Sequence, residues 1–170
     1  VMAAKGYGPN KPLKIKVSTR NLPTYRDASV LLISQLKEIY IDGELQLVDT
    51  AQWVPKLIRR DYVIGVSQVG NGVDDPDQNY FENYVCGSRT YMDYCNKELD
   101  AMVAAQSAER DPEKRKKIAW EIDKKLTNEA VRPMLYYMYG VTCWQPGLKG
   151  VKIQVNSIYN NWRLDDVWLE

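Results

Sequence analysis

The run Val69-Gly70-Asn71-Gly72-Val73-Asp74-Asp75-Pro76-Asp77 gathers the residues of this chain best suited to chemistry. Two glycines let a backbone turn sharply or come close to a ligand. Gly70, Asn71 and Gly72 offer backbone and amide groups as neutral hydrogen-bond partners. Asp74 or Asp75 is where a carboxylate-dependent hydrolase would find its general base. That chemistry needs a second group in the same cleft, which adjacency in sequence does not supply. A plain surface turn has the same composition. The flanking sequence has to decide.

Histidine is absent from the 170 residues. Its absence removes Ser-His and Cys-His catalysis and most zinc sites, so neither a metal nor a cofactor is expected. Cys86 and Cys95 enclose eight residues and Cys143 stands far away, in neither a CxxC nor a zinc spacing. Cysteine counting leaves two alternatives open: three buried thiols, or a Cys86–Cys95 bridge in an oxidising compartment. Lys and Arg number 23 against 22 Asp and Glu. The basic cluster Lys114-Arg115-Lys116-Lys117 reads as a solvated helix face, which argues against nucleic acid as a partner. There is no apolar run near ~18 residues and no signal-peptide pattern. Val1 to Pro9 reads as the last turn of a helix begun upstream, so a piece of a longer protein is expected.

The positioning elements follow from periodicity. Leu13, Ile15 and Val17 alternate with Lys14 and Lys16, a strand with one polar face. Asp27 is a candidate cap for a helix with Leu32, Leu36 and Ile39-Tyr40 on one stripe. Gly43 breaks the chain before a second strand, Leu45 to Val48. This is a βαβ unit, which implies parallel neighbours. Trp53 to Arg60 forms a short helix despite Pro55. The strand Tyr62 to Val66 is apolar on both faces and is expected to be central. Asn96 caps a helix that buries Leu99, Met102 and Val103. Asp111-Pro112-Glu113 opens another, with Ile118, Ile122 and Leu126 inside. Met134 to Tyr139 reads as an aromatic strand, and Val151, Ile153 and Val155 as a last one after Pro146-Gly147. With 45% hydrophobic residues, the chain is expected to form one α/β unit, a mixed sheet with helices on its faces.

Several pieces carry a resemblance. They are Gly6-Tyr7-Gly8-Pro9, the helix Leu32-Ile33-Ser34-Gln35-Leu36-Lys37-Glu38-Ile39, Asp75-Pro76 with Asn79-Tyr80-Phe81, Tyr94-Cys95-Asn96-Lys97-Glu98-Leu99-Asp100, and Asp111-Pro112-Glu113-Lys114-Arg115. Their order and spacing resemble the C-terminal lobe of the extracytoplasmic solute-binding proteins of ABC importers, family 5, the oligopeptide-, dipeptide- and nickel-binding branch. The resemblance implies a periplasmic-binding-protein type II lobe spanning residues 1–147, with a tail at 148–170 returning toward a missing N-terminal lobe. It implies a periplasmic or extracytoplasmic location, a small-molecule solute, an ABC permease as partner, and no enzymatic activity. It also implies that Cys86 and Cys95 are bridged, as in dipeptide-binding relatives.

Peptide-binding members show Gly-Trp-x-x-Asp-x-x-Asp-Pro, whose Trp lines the cleft and whose first Asp meets the peptide ammonium. Counted back from Asp75-Pro76, those positions hold Gln68, Val69 and Gly72. A buried ammonium without a carboxylate is strongly disfavoured. A neutral or anionic organic solute is therefore expected rather than a peptide, unless Asp74 takes over the lost role. The expected ligand-binding set is Thr19, Arg20 and Asn21 at the end of the first strand, where open α/β sheets bind ligands, with Trp53, Val69, Gly70, Asn71 and Asp74. Arg20 suits a carboxylate held bidentately. Trp53 matches a cleft-facing position in the resemblance. A receptor or interaction domain without solute binding is a further alternative. A tail left without its lobe is expected to promote a dimer of the fragment.

Overall fold

The alternation of Leu13, Ile15 and Val17 with Lys14 and Lys16 produces a strand, β1 (Leu13–Arg20). Its second half abandons the alternation, because Val17, Ser18 and Thr19 are all buried. Two hydroxyls are tolerated there because each is satisfied. Ser18 Oγ donates to Gln46 Oε1 at 2.7 Å, and Thr19 Oγ1 donates to the Val66 carbonyl at 2.9 Å. These features come from a computed structural model that describes residues 1–73, 75–88, 91–139, 141–153 and 164–170. Its contacts divide the chain into two compact units, Val1–Gln68 and Val69–Glu170.

In the first unit β1 lies between β2 (Ile41–Val48) and β3 (Ile64–Val66), and both pairings are parallel. The register sets Arg20 opposite Val48 and Val17 opposite Ile64. Two expectations are corrected here. The apolar run at Tyr62 to Val66 is an edge strand among the described residues, with Val63 exposed, and β1 is central instead. β2 also runs straight through Gly43. A Cβ on Gly43 would lie 3.0 Å from Ile33 Cγ1 and 3.3 Å from Val17 Cγ2. The glycine admits a close helix rather than ending an element.

That helix, α1 (Pro23–Leu36), starts on Pro23 with no side-chain cap. Asp27 is not the expected cap; it lies one turn inside and pairs with Arg26 at 3.1 Å. Proline suits the first helical position because its missing N–H is unpaired there anyway. The helical stripe stops at Leu36. Lys37–Ile39 tightens into a 3-10 turn, Tyr40 takes a left-handed φ of 63°, and Ile39 is half exposed. α2 (Thr50–Ile58) keeps Pro55 inside it, is capped by Asp49, and buries Trp53 and Leu57.

The second unit is built on α3 (Pro76–Asn83), α4 (Lys97–Ala108) and α5 (Pro112–Asn128). Asn96 and Asp111 cap α4 and α5 as the sequence predicts, each accepting two backbone N–H groups. Tyr80, Tyr84, Leu99, Val103, Ile122 and Leu126 form the core, with Met102 and Ile118 packed against it. Each fully buried aliphatic chain there contributes roughly 1.5–3 kcal/mol.

Met134 to Tyr139 is not the predicted strand; it has no strand pairing among the described residues, and all six side chains are exposed. Its residues favour a pleated surface, but a strand also needs a neighbour. In the tail, β4 (Leu148–Lys149) pairs antiparallel with β5 (Trp168–Leu169). The strand expected from Val151 is absent at Val151, Lys152 and Ile153, and Val155 and Trp162 lie outside the described residues. Gly150 ends β4 with a φ of 76°, where a Cβ would run into the Asp166 carbonyl. The three-stranded sheet is thus wholly parallel, and the antiparallel pairing sits apart in this ribbon.

Candidate functional site

Parallel strands converge their carboxyl ends on one edge, and the helices that follow begin there. In the first unit that edge carries Arg20 and Asn21, the start of α1, and Asp49 and Thr50 at the start of α2. Asn21 is exposed and its N–H donates to the Val48 carbonyl at 3.0 Å. Arg20 is half-buried. Its Nη1 donates to the Tyr25 hydroxyl at 3.3 Å and its Nη2 to Thr50 Oγ1 at 3.4 Å. The guanidinium also lies over the Tyr25 ring, 5.2 Å from its centre. Its Nε is buried and has no hydrogen-bond partner among the described residues. Thr19 and Trp53 belong to the interior. Thr19 is fully buried and bonded to Val66, and Trp53 is 2% exposed with Nε1 reaching Ser67 Oγ at 3.5 Å. Sequence reasoning missed Tyr25 and Thr50. The signal for Thr50 was the capping Asp49 before it; Tyr25 gave none beyond its place in the first turn of a helix.

Val69, Gly70 and Asn71 lie in the second unit, and Asp74 lies outside the described residues. Gln78 organises the turn that follows Asn71. Its Oε1 accepts from the backbone N–H of Gly72 at 2.9 Å and of Val73 at 3.1 Å, while its Nε2 donates to Glu82 at 3.1 Å. The Gly72 N–H is therefore already engaged. Nothing about Gly72 demands glycine, since an added Cβ would meet nothing closer than Gln78 Oε1 at 3.7 Å.

Asp75 is committed to structure. It caps α3 by accepting from the Asp77 N–H at 2.9 Å, and its two oxygens take Arg115 Nη1 at 2.7 Å and Nη2 at 2.6 Å. Asp77 joins through Ser107 Oγ at 2.8 Å, Gln106 Nε2, and Arg115 Nη2 at 3.6 Å. The Arg115 hydrogen bonds hold the Asp75 carboxyl below its ordinary range, and Asp75 in turn raises the guanidinium. A general base needs a free carboxylate with a raised pKa. Asp75 is neither, which corrects its candidacy as a hydrolytic base.

Cys86 and Cys95 are disulfide-bonded and Cys143 is a free, exposed thiol, which closes the alternative of three thiols. Among the described residues no group of acids or cysteines stands as a metal site requires, and no helix is long and apolar enough to cross a membrane.

Solved structures place this arrangement. The Haemophilus influenzae OppA complex with the peptide RPPGFSPFR matches 99% of this chain and 33% of its own at a TM-score of 0.84 and 17% identity. This is the fold of one part of a solute-binding protein. The periplasmic binding protein DppA of Helicobacter pylori, in complex with the peptide STSA, matches 94% of this chain and 31% of its own, at TM-score 0.78 and 16% identity. Staphylococcus aureus NikA with Ni(L-His)2 matches 76% and 28%, at TM-score 0.67 and 22% identity. The chain thus spans about a third of the length of the solved structures it matches. No protein-family model and no curated protein matches the sequence.

Proposed function

We propose that this chain is one lobe of an extracytoplasmic solute-binding protein that captures a small organic solute and delivers it to an ABC importer permease. The observation that carries the proposal is the match to OppA over 99% of the chain at a TM-score of 0.84. The bridged Cys86–Cys95 pair fits an oxidising, extracytoplasmic location. In this reading residues 1–147 are the C-terminal lobe and 148–170 lead toward a second lobe that completes the cleft. Arg20 and Asn21 touch the solute, and Thr19 and Trp53 support them from the interior. The chain binds and does not catalyse.

OppA and DppA were solved with peptides. For this chain a non-peptide solute is proposed, because Val69 and Gly72 stand where peptide-binding members carry the Trp and the ammonium-binding Asp. A thermal-shift panel on the longer protein tests this, since a specific ligand raises the melting temperature by mass action. Stabilisation by organic solutes and none by di- to pentapeptides is expected. Stabilisation by peptides alone would overturn the solute class, and formation of product would overturn the binding role.

A further inference from the structure

An asparagine side chain can be attacked by the backbone nitrogen of the residue that follows it, and glycine makes this easiest because it brings no Cβ to crowd the closing ring. Asn71 and Gly72 are such a pair. Nothing in the fold requires glycine at 72: its φ is not left-handed, and an added Cβ would meet nothing closer than 3.7 Å. Gly72 and Val73 are exposed and Asn71 is half-buried, so water reaches the pair. The attacking nitrogen is nevertheless held. The Gly72 N–H donates to Gln78 Oε1 at 2.9 Å, and the Val73 N–H donates to the same oxygen at 3.1 Å. Gln78 is fixed in turn by its place in the first turn of α3 and by its Nε2 bond to Glu82 at 3.1 Å.

We propose that Asn71 is a deamidation site and that Gln78 guards it. Water is the only co-reactant. The Gly72 N–H loses its proton to hydroxide, and the nitrogen attacks Asn71 Cγ. The new N–Cγ bond forms, the Cγ–Nδ2 bond breaks, and Nδ2 takes a proton from water and leaves as ammonia. One water then opens the cyclic imide at either carbonyl, giving aspartate or isoaspartate; nothing is oxidised or reduced. Gln78 opposes the first step in two ways. A hydrogen bond to the protonated nitrogen favours that form, and loss of the proton would set an anion against the lone pairs of Oε1. Ring closure also swings the Gly72 nitrogen toward Cγ, which breaks a bond that typically biases an equilibrium by about fivefold. The product is a different turn. A neutral amide becomes a carboxylate ahead of Asp75 and Asp77, and isoaspartate lengthens the main chain beside the two N–H groups that share Oε1. Local opening at the start of α3 is thereby recorded irreversibly as one negative charge.

The test is peptide-mapping mass spectrometry of this chain during incubation at pH 7.5, following the conversion of Asn71 to aspartate and isoaspartate. Gln78→Ala is expected to convert at least fivefold faster than wild type. Gln78→Glu, whose carboxylate still accepts both N–H groups, is expected to stay within twofold of wild type. Gly72→Ala in the Gln78→Ala background is expected to slow conversion at least tenfold, which identifies the Gly72 nitrogen as the attacking atom. In concentrated urea wild type and Gln78→Ala are expected to convert at the same rate, because the guard exists only in the folded chain. The other asparagines, Asn79, Asn83, Asn96 and Asn128, serve as internal controls in the same digests. Equal rates in folded wild type and Gln78→Ala overturn the proposal, as does an Asn71 that stays intact in both. An acceleration shared by every asparagine overturns it too, because the substitution has then loosened the chain as a whole.

Discussion

Replacing Arg115 with methionine tests whether the start of α3 is held by charge. The substitution leaves the carboxylates of Asp75 and Asp77 without a counter-charge and removes the 3.3 Å bond from Arg115 Nε to the Gln106 carbonyl. The side chains of Arg115 and Asp75 are 28% and 32% exposed, so solvent screens the pair only in part. A bidentate pair in such a setting couples by about 1–2 kcal/mol. The single substitution costs more, about 2–3 kcal/mol, because it also strands a carbonyl and two acids. At the size of this chain that lowers the melting temperature by about 5–10 °C. The assay is urea unfolding of wild type, Arg115→Met, Asp75→Asn and the double variant, read as a double-mutant cycle. Acid supplies a second reading. The Asp75 carboxyl is held below its ordinary value of 3.8, so its stabilisation is present above that pH and is lost as pH falls through the depressed value. The gap between wild type and Arg115→Met should therefore close in acid. A coupling below about 0.3 kcal/mol, which is within the range of inert surface pairs, would refute the reasoning. So would a gap that persists unchanged into strong acid.

Further outcomes follow from single contacts. Gly43→Ala should destabilise by about 1–3 kcal/mol in thermal melts, because its Cβ is forced against Ile33 and Val17; Gly72→Ala should change stability by less than about 0.5 kcal/mol. Alkylation of unreduced, denatured protein should label one cysteine per chain, and reduction should lower stability by roughly 2–3 kcal/mol. Alkaline absorbance titration should show Tyr80 and Tyr94 ionising late, near pH 12, burial being the main cause in both. Because these values lie above 10.0, their stabilisation is complete below pH 10 and disappears as pH rises through 12. Light scattering should show self-association of the isolated chain that weakens when Tyr137 and Tyr139, both largely exposed, are changed to Ser.

The elements most legible in the sequence were those whose signals are local. Asn96 and Asp111-Pro112 announced their helices because capping is decided within four residues. Ile118, Ile122 and Leu126 marked a buried face for the same reason. Long-range partners were harder to read. Gly43 looked like a breaker until Ile33 was seen packed against it, and Met134 to Tyr139 looked like a strand although no neighbour pairs with it among the described residues. At the site, Arg20 was visible as a charge at a strand end, but its neutral partners Tyr25 and Thr50 come from two different helices. Asp75 drew attention as a reactive acid; only its contact with Arg115, forty residues on, reveals a structural clasp.

The measurement that tests the central claim most directly is calorimetric titration of the longer protein and of this chain alone with the same solute. The account predicts one site per molecule in the longer protein and affinity at least a hundredfold weaker in this chain, because a clamp draws affinity from both of its sides and from expelling water as it closes. Affinity within about tenfold of the longer protein, or no binding by either, would contradict it.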